Sequence, residues 1–382
     1  MELANFPYSE IPPEAEGLRA EVRAFLTAAM PSIPPVVQAD SWMAFDADFS
    51  RRLGAAGLIG ITLPKRYGGR ELGFFARYVV SEELLAAGAP VSAHWIADRQ
   101  SAPLILRYGN DAQRERFLPG IARGELYFGI GMSEPNSGSD LASITTKAKR
   151  TDKGWVLNGR KVWTTNAHRS DYIIALARTG PSDEQRHGGM SQFIVDLKAQ
   201  GVVVRPIRDL TGEEHFNEIF LDDVELEAEA LIGTEGNGWH QVMAELAFER
   251  SGPERFLSSA TLLRTLIGQA APTPDALQAY SIGRLVARLN ALRAMSLSVT
   301  AQLDAGADPA WAASCVKDIG TCFEQEVPEV AQLLGVVEPR VDGGSDHAQV
   351  LAHLTQLAPS FSLRGGTREI LRGILARGLG LR

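Results

Sequence analysis

The chain has 382 residues, 45% of them hydrophobic and 22% charged, with a formal net charge of −8. That length holds two or three compact domains, and the balance excludes a disordered chain. Acidic residues are spread along the sequence with no basic stripe, which argues against a nucleic-acid-binding surface, and no apolar run reaches the ~18 residues of a membrane span.

Residues 1–17 show neither a cationic stretch leading into an apolar one nor an Arg-rich amphipathic pattern, so no secretory or mitochondrial targeting is read there and a cytoplasmic protein is expected. From 1 to about 124 the pattern is helical. Leu18, Val22, Phe25 and Leu26 share one face of a helix over 14–30, which ends before Pro31. Further helices are predicted over 45–57, 73–88 and 92–108, and Asp111 is placed as the N-cap of another that runs to about Arg123. Gly68-Gly69 mark a turn in LPKRYGGR, 63–70.

Between about 125 and 232 the period changes to two. Strands are predicted at 155–165, 172–179, 191–197 and 217–226, with Asn158-Gly159 as a hairpin turn. Short strands without intervening helices indicate an antiparallel barrel or sandwich. From 233 to 382 helices return, at 237–268, 275–304, 309–325, 346–357 and 366–378. Pro253, beside Ser251-Gly252, is predicted to kink the first of them. Cys315 and Cys322 fit one helix face and match neither a zinc spacing nor a disulfide framework. His215 and His240 have no partner at metal-ligand spacing, so no metal is expected.

Two segments carry chemistry. FGIGMSEPNSGSD, 128–140, is rich in Gly and Ser, whose backbone N–H groups and hydroxyls suit a flat polar ligand, although such a loop also reads as a surface turn. GRKVWTTNA, 159–167, sets Trp163 beside Thr164 and Thr165, either as strand core or as a ring to stack on with hydroxyls at its edge.

SEPNSGSD followed by NGRKVWTTN resembles the flavin-binding core of acyl-CoA dehydrogenases. LPKRYGG (63–69), LRYGNDAQRERFLPGIARGE (106–125), GTEGNGW (233–239), QLLG (332–335) and GGTREILRGILARGLGL (365–381) extend the resemblance in order along most of the chain. It implies an α+β acyl-CoA dehydrogenase-like fold: an N-terminal helical domain (1–124), a middle antiparallel β-barrel or sandwich domain (125–232) and a C-terminal four-helix bundle (233–382). It implies FAD as cofactor, an acyl-CoA thioester as substrate, and oxidation at CH–CH to a 2,3-enoyl-CoA. An electron-transfer flavoprotein is the implied acceptor, and the implied assembly is a homo- or heterotetramer. Phe128, Ile130, Met132, Ser133, Ser139, Trp163, Thr164 and Thr165 match flavin-contacting positions, with Ser139 also at the thioester or pantetheine arm. Gln332, Gly335, Gly366, Thr367 and Glu369 match segments that reach the FAD phosphates and adenine, partly across a subunit interface.

The usual catalytic glutamate of that family stands in a Glu-Gly-Thr segment, where this chain has Gly365-Gly366-Thr367. Gly365 supplies no carboxylate, only a backbone N–H to the thioester oxygen. Glu249 and Arg250 interrupt an apolar stripe of Trp239, Val242, Met243, Leu246, Pro253, Phe256 and Leu257. They resemble the Glu-Arg pair with which some relatives place the base on this helix. Glu249 is thus the candidate base and Arg250 a substrate-binding residue; the alternative is a structural ion pair, with Glu254 a weaker candidate. His94, Trp95, Asp98 and Arg99 lie where the family can line its acyl pocket, but read alone they suit packing and surface. The family's Arg-x-x-Phe-Gly segment is degenerate over 262–283, where Arg264 remains without the Phe-Gly. That loss leaves open a partly degenerate or non-catalytic subunit of a mixed tetramer, and a flavin oxidase or monooxygenase that does not use CoA is the other alternative.

Overall fold

The computed structural model describes residues 6–181, 186–270, 273–335 and 337–381, and of 245–249 the backbone alone. Helices α1 (Pro13–Glu16) and α2 (Leu18–Ala29) come first, α2 burying Leu18, Val22 and Leu26 along one face. Helix α3 (Pro35–Asp40) begins on a proline, whose missing N–H would have no helical partner there. Helix α4 (Ala47–Ala55) is capped by Asp46, whose carboxylate accepts from the backbone N–H of Asp48 and Phe49, both at 2.9 Å. Helix α5 (Phe74–Ala86) follows the Gly68-Gly69 turn.

The helix expected over 92–108 is interrupted. α6 (Ser92–Ile96) and α7 (Ala102–Tyr108) flank a π-helical turn, Ala97–Ser101, where Asp98 accepts from the Gly60 N–H at 2.7 Å. Helix α8 (Asp111–Ala122) is capped by Asn110, not by Asp111. The Asn110 side chain takes the Gln113 N–H at 2.8 Å, and the Gln113 side chain takes the Asn110 N–H at 3.0 Å. Gln113 completes this reciprocal box, which a cap at Asp111 could not form.

Strands β1 (Phe128–Gly131), β2 (Lys147–Thr151), β3 (Gly154–Thr165), β4 (Tyr172–Arg178), β5 (Met190–Asp196), β6 (Val202–Ile207) and β7 (Phe216–Glu227) form one seven-stranded sheet. Its order is β1-β4-β2-β3-β7-β6, with β5 paired to β4. Pairing is mainly antiparallel, but β1 and β2 both run parallel to β4. Alternation along β4 feeds two cores. Ile174 packs with Phe117, Leu118 and Ile121 of α8, while Ile173, Ala175 and Ala177 pack with Trp155, Leu157, Ile219 and Leu221.

Asn158-Gly159 is no hairpin turn. Both residues lie inside β3, and the β2–β3 turn falls at Asp152-Lys153. Gly159 is required for another reason: a Cβ there would sit 2.3 Å from the Thr146 hydroxyl. The Asn158 side chain pairs across the sheet with Asp223, at 2.9 and 3.0 Å.

The helix expected over 237–268 is broken outright. α9 (Gly238–Glu249) stops, Gly252 is extended, Pro253–Arg255 forms a 3-10 turn, and α10 (Ala260–Gln269) starts afresh. Pro253 lies at a helical start, where it costs little, so Phe256 and Leu257 do not continue the α9 stripe. Helices α11 (Ala276–Asp304), α12 (Ala310–Leu333), α13 (Asp346–Leu357) and α14 (Arg368–Gly378) complete the chain. Among the described residues no helix is long and apolar enough to cross a membrane.

Contacts divide the chain into two compact units, neither of them a continuous segment. The first comprises 1–45, 72–91 and 246–382, and the second 46–71 and 92–245. In the first unit, the 251–259 link is pinned by α11 and α12. Ser296 donates to the Ser251 carbonyl, Glu324 accepts the Ser258 N–H at 2.8 Å, and Gly320 lets the Arg255 backbone approach. A Cβ on Gly320 would lie 2.2 Å from the Arg255 carbonyl oxygen. Gly320→Ala is therefore expected to destabilise the protein by roughly 1–3 kcal/mol, seen as a lower melting temperature by circular dichroism. Gly283→Ala, on α11 with no described atom within 4 Å, should be neutral or stabilise by up to about 1 kcal/mol.

Candidate functional site

In the second unit the site begins with two register faults between β3 and β7. Asp222 and Asp223 of β7 together oppose Asn158, and further along Val162 and Trp163 together oppose Glu218. Each extra residue takes positive φ, 47° at Asp223 and 61° at Trp163. A tryptophan in that region is strained by roughly 1–3 kcal/mol, and such outliers cluster at ligand sites. The bulge reverses the side chains. Trp163 would point inward by alternation, yet it is 59% exposed and touched edge-on by Phe216 at 6.1 Å. Thr164 turns inward in its place, its hydroxyl buried without a hydrogen-bond partner.

Around the bulge the backbone is held tightly. The Asn217 side chain donates to the Thr164 carbonyl at 3.0 Å, and the His168 ring meets the Asn217 side-chain oxygen at 2.8 Å. Asn166, left-handed at φ 48°, ends the strand and donates to the Ser92 hydroxyl at 2.7 Å. The Val162 N–H donates to the Ser133 carbonyl at 2.9 Å, which joins the loop after β1 to the bulge.

Beneath that junction lies a buried ion pair. Lys161 Nζ, 0% exposed, is 2.9 Å from a Glu134 carboxylate oxygen and donates to the Met132 carbonyl at 3.0 Å. Glu134 also accepts from the Thr145 N–H and hydroxyl, both at 2.7 Å, and from the Thr146 N–H at 2.9 Å. Burial opposes the Glu134 charge, but Lys161 and these donors outweigh it and hold the carboxyl at about 2. Burial lowers Lys161 to about 8, against the pull of Glu134. Both groups are charged at neutral pH.

The sequence-predicted residues of this unit take distinct places. Phe128 stacks on Tyr172 with centroids 5.4 Å apart inside the core, so it offers a ligand its backbone and not its ring. Ile130, Met132, Ser133 and Thr165 are half-buried, and Ser139 is exposed on the loop. Trp163, Thr164 and Ser133 are brought together around the bulge. An isoalloxazine ring suits the outward part of this set, an exposed aromatic face with a half-buried serine and threonine near it, while the Thr164 hydroxyl lies on the inner side. Glu134, Lys161, Asn166 and Asn217 were missed as parts of the site. The signal was a lysine in the inward phase of Trp155 and Leu157.

The first unit holds the remaining candidates. Glu249 is the last residue of α9, and its side chain lies outside the described set. Arg250, 6% exposed, donates to the Gly365 carbonyl at 3.4 Å. Gly365 and Gly366 are both left-handed, at φ 66° and 96°. A Cβ on Gly365 would lie 3.0–3.2 Å from the Arg255 guanidinium, and one on Gly366 3.4 Å from Arg250. Guanidinium groups thus border the position that carries a carboxylate in the family pattern. Glu254 is buried in the 3-10 turn. Arg364 anchors the glycines, lying 4.4 Å from the rings of both Trp42 and Phe361 and donating to Ser258 at 2.7 Å. Thr367 caps α14, and Glu369 is exposed in its first turn. Gln332 is exposed and donates to Thr355 at 3.2 Å, while Gly335, at φ 61°, follows the α12 C-terminus. Arg264 donates to the Ala86 carbonyl at 3.0 Å and to Gln38 at 2.8 Å within its own chain. Among the described residues no group of three or more His, Cys, Asp or Glu could hold a metal.

A helical N-terminal part, a curled middle sheet carrying this loop and bulge, and a helical C-terminal part define a class of flavoprotein oxidoreductases. Residues 12–125 match the acyl-CoA dehydrogenase N-terminal domain, and residues 129–224 match the acyl-CoA dehydrogenase middle domain. The chain belongs to the acyl-CoA dehydrogenase family. It is 35% identical over 341 residues to acyl-CoA dehydrogenase IpdE1 of Mycobacterium tuberculosis, covering 87% of each protein. Among solved structures it is similar to the Tcur3481-Tcur3483 steroid acyl-CoA dehydrogenase, with a TM-score of 0.86, 26% identity and coverage of 99% and 100%. It is also similar to the ChsE4-ChsE5 complex of Mycobacterium tuberculosis, with a TM-score of 0.84, 28% identity and full coverage of both chains.

Two stability results should follow. Glu134 holds its proton less tightly than an ordinary carboxyl at 4.5, so its contribution is complete above pH 4.5 and is lost as pH falls through about 2. In acid titrations followed by circular dichroism, Glu134→Gln should start less stable and lose less over that interval. Trp163→Gly removes a strained φ and a mostly exposed ring, so without bound cofactor its melting temperature should match or exceed that of wild type treated the same way.

Proposed function

We propose that this chain is an FAD-dependent acyl-CoA dehydrogenase that introduces a 2,3 double bond into an acyl-CoA thioester. The observation that carries this reading is the β3 bulge. It holds a strained, mostly exposed Trp163 outward beside Ser133 and Thr165, an arrangement that suits a flat ring. FAD, when bound, supplies the two-electron oxidation by taking up the β-hydride.

The chain's own residues have the other tasks. Glu249 removes the α-proton, because Gly365 has no side chain for it and Arg255 borders the place where one would stand. The Gly365 N–H donates to the thioester oxygen, where negative charge develops as the α-proton leaves. Arg250 fixes the Gly365 turn and lies next to the base in sequence. Ser139 contacts the thioester arm, and Ser133, Trp163, Thr164 and Thr165 hold the ring. Gln332, Gly335, Gly366, Thr367 and Glu369 serve the phosphate and adenine end. An electron-transfer flavoprotein is the acceptor.

For the substrate we favour a bulky, ring-bearing acyl group. The likeness to a steroid acyl-CoA dehydrogenase supports this, and so does the break after α9, which replaces a helical turn beside Glu249 with an extended link.

A mixed assembly is the second reading. Arg264, the remnant of a segment that in the family reaches a neighbouring subunit's FAD, is bonded within its own chain, and one similar structure is a complex of two named components.

The test is anaerobic mixing of the purified protein with straight, branched and ring-bearing acyl-CoAs while flavin absorbance is followed. Wild type should bleach with a ring-bearing thioester. Glu249→Gln should retain FAD and bleach at least about 100-fold more slowly. Equal rates would make Glu249 structural. A protein that is colourless alone and yellow only when produced with a second dehydrogenase chain would establish the mixed assembly.

A further inference from the structure

We propose that Glu134 and Lys161 are positioning residues of the flavin site: their buried ion pair fixes the spacing between Ser133 and the Trp163 bulge. This rests on the flavin reading above and assigns to two side chains a task beyond it.

The geometry concentrates three constraints on one pair. Lys161 is the last residue of β3 in register with β7 before the Trp163 bulge, opposite Ile219. Its ammonium reaches Met132 and Glu134, the two neighbours of Ser133. One side chain therefore ties the strand carrying Trp163 to both neighbours of Ser133, to the backbone carbonyl of Met132 and to the side chain of Glu134. Glu134 adds the third constraint by taking both N–H groups of Thr145 and Thr146. The loop bearing Ser139 thus leaves from and returns to a single carboxylate.

No sheet ladder does this work. Residues 132–146 lie between β1 and β2. The Glu134–Ser137 and Asp140–Ser143 turns hold them locally, and Arg178 ties their end to β4 through bonds to the Ala142, Ile144 and Thr146 carbonyls. Toward β3 they are held by the Ser133–Val162 bond and by Lys161 with Glu134. A buried ion pair is a poor source of stability, since desolvation of two charges consumes most of their attraction. Its better-attested value is to specify one arrangement among several of similar energy, and here the arrangement specified is that of the ring-facing residues.

Stability and positioning separate experimentally. Lys161→Met leaves a buried carboxylate uncompensated, and Glu134→Gln leaves a buried ammonium uncompensated, so each single variant should melt lower. The double variant Glu134→Gln/Lys161→Met has no unpaired charge and should recover most of the melting temperature. If the pair positions the site, the double variant should still bind FAD at least about tenfold more weakly and show a shifted flavin absorption band and midpoint potential. Hydrogen exchange at 132–146 should rise in the deflavinated double variant relative to deflavinated wild type. If the double variant matches wild type in FAD dissociation constant, spectrum and potential, the pair is only structural and the proposal falls. If a single variant does not fold, the double variant decides the question. Failure of wild type to bind any flavin would instead overturn the flavin reading, and the inference with it.

Discussion

The second unit depends on a mismatch in one strand pair. β3 and β7 slip by one residue at Asp223 and recover it at Trp163, so between the two bulges they run in a different register from the rest of the sheet. The first fault lets Asn158 and Asp223 pair across the strands, and the second rotates a tryptophan out of the sheet and a threonine into it. Strain at Trp163 persists only because its surroundings over-determine it: Asn217 below, the Ser133 carbonyl beside it and Lys161 two residues before it. A local cost is thus held in place by the packing around it, as is common where a protein meets a ligand.

A different constraint rules the first unit. Two consecutive glycines in the left-handed region form a turn that no ordinary residue adopts cheaply, and Arg250, Arg255 and Arg364 surround it. A side chain at position 365 is disfavoured by the left-handed backbone and is crowded by the Arg255 guanidinium, which would have to shift to admit a Cβ. In chemical terms, the place of the family's glutamate is here a cationic turn, so the proposed reaction takes its base from elsewhere on the chain. The end of α9 is the reading we favour, since the Ser251–Arg255 link that follows it is fixed to α11 and α12 by hydrogen bonds and by the close approach at Gly320.

The division into two units also cuts through the N-terminal run of helices. Helices α4, α6, α7 and α8 pack with the sheet, through Phe117, Leu118 and Ile121, whereas α2, α3 and α5 belong with the C-terminal helices. Helical periodicity is the same on both sides of this division, so it does not reveal which partner each apolar face meets.

The sequence by itself determined the class of each region, because periods of 3.6 and 2 are set by local backbone geometry. It also carried the family resemblance, through loops such as SEPNSGSD whose residue types are dictated by close backbone approaches. Most long elements, such as α11 and β4, fall within a few residues of their sequence-based limits. What it did not determine was set at a distance. Asn158-Gly159 reads as a turn, but Thr146 and Asp223 make it a bulged strand. Pro253 reads as a kink, but contacts from α11 and α12 support a full break. Trp163 reads as inward by alternation, and only the offset of β7 turns it outward. Lys161 had the inward phase in plain view, yet its meaning needed Glu134, which lies 27 residues earlier in the chain. Local periodicity encodes what a residue prefers. Which face, which partner and which register it takes are decided by residues far away in sequence, and those become neighbours only in the folded chain.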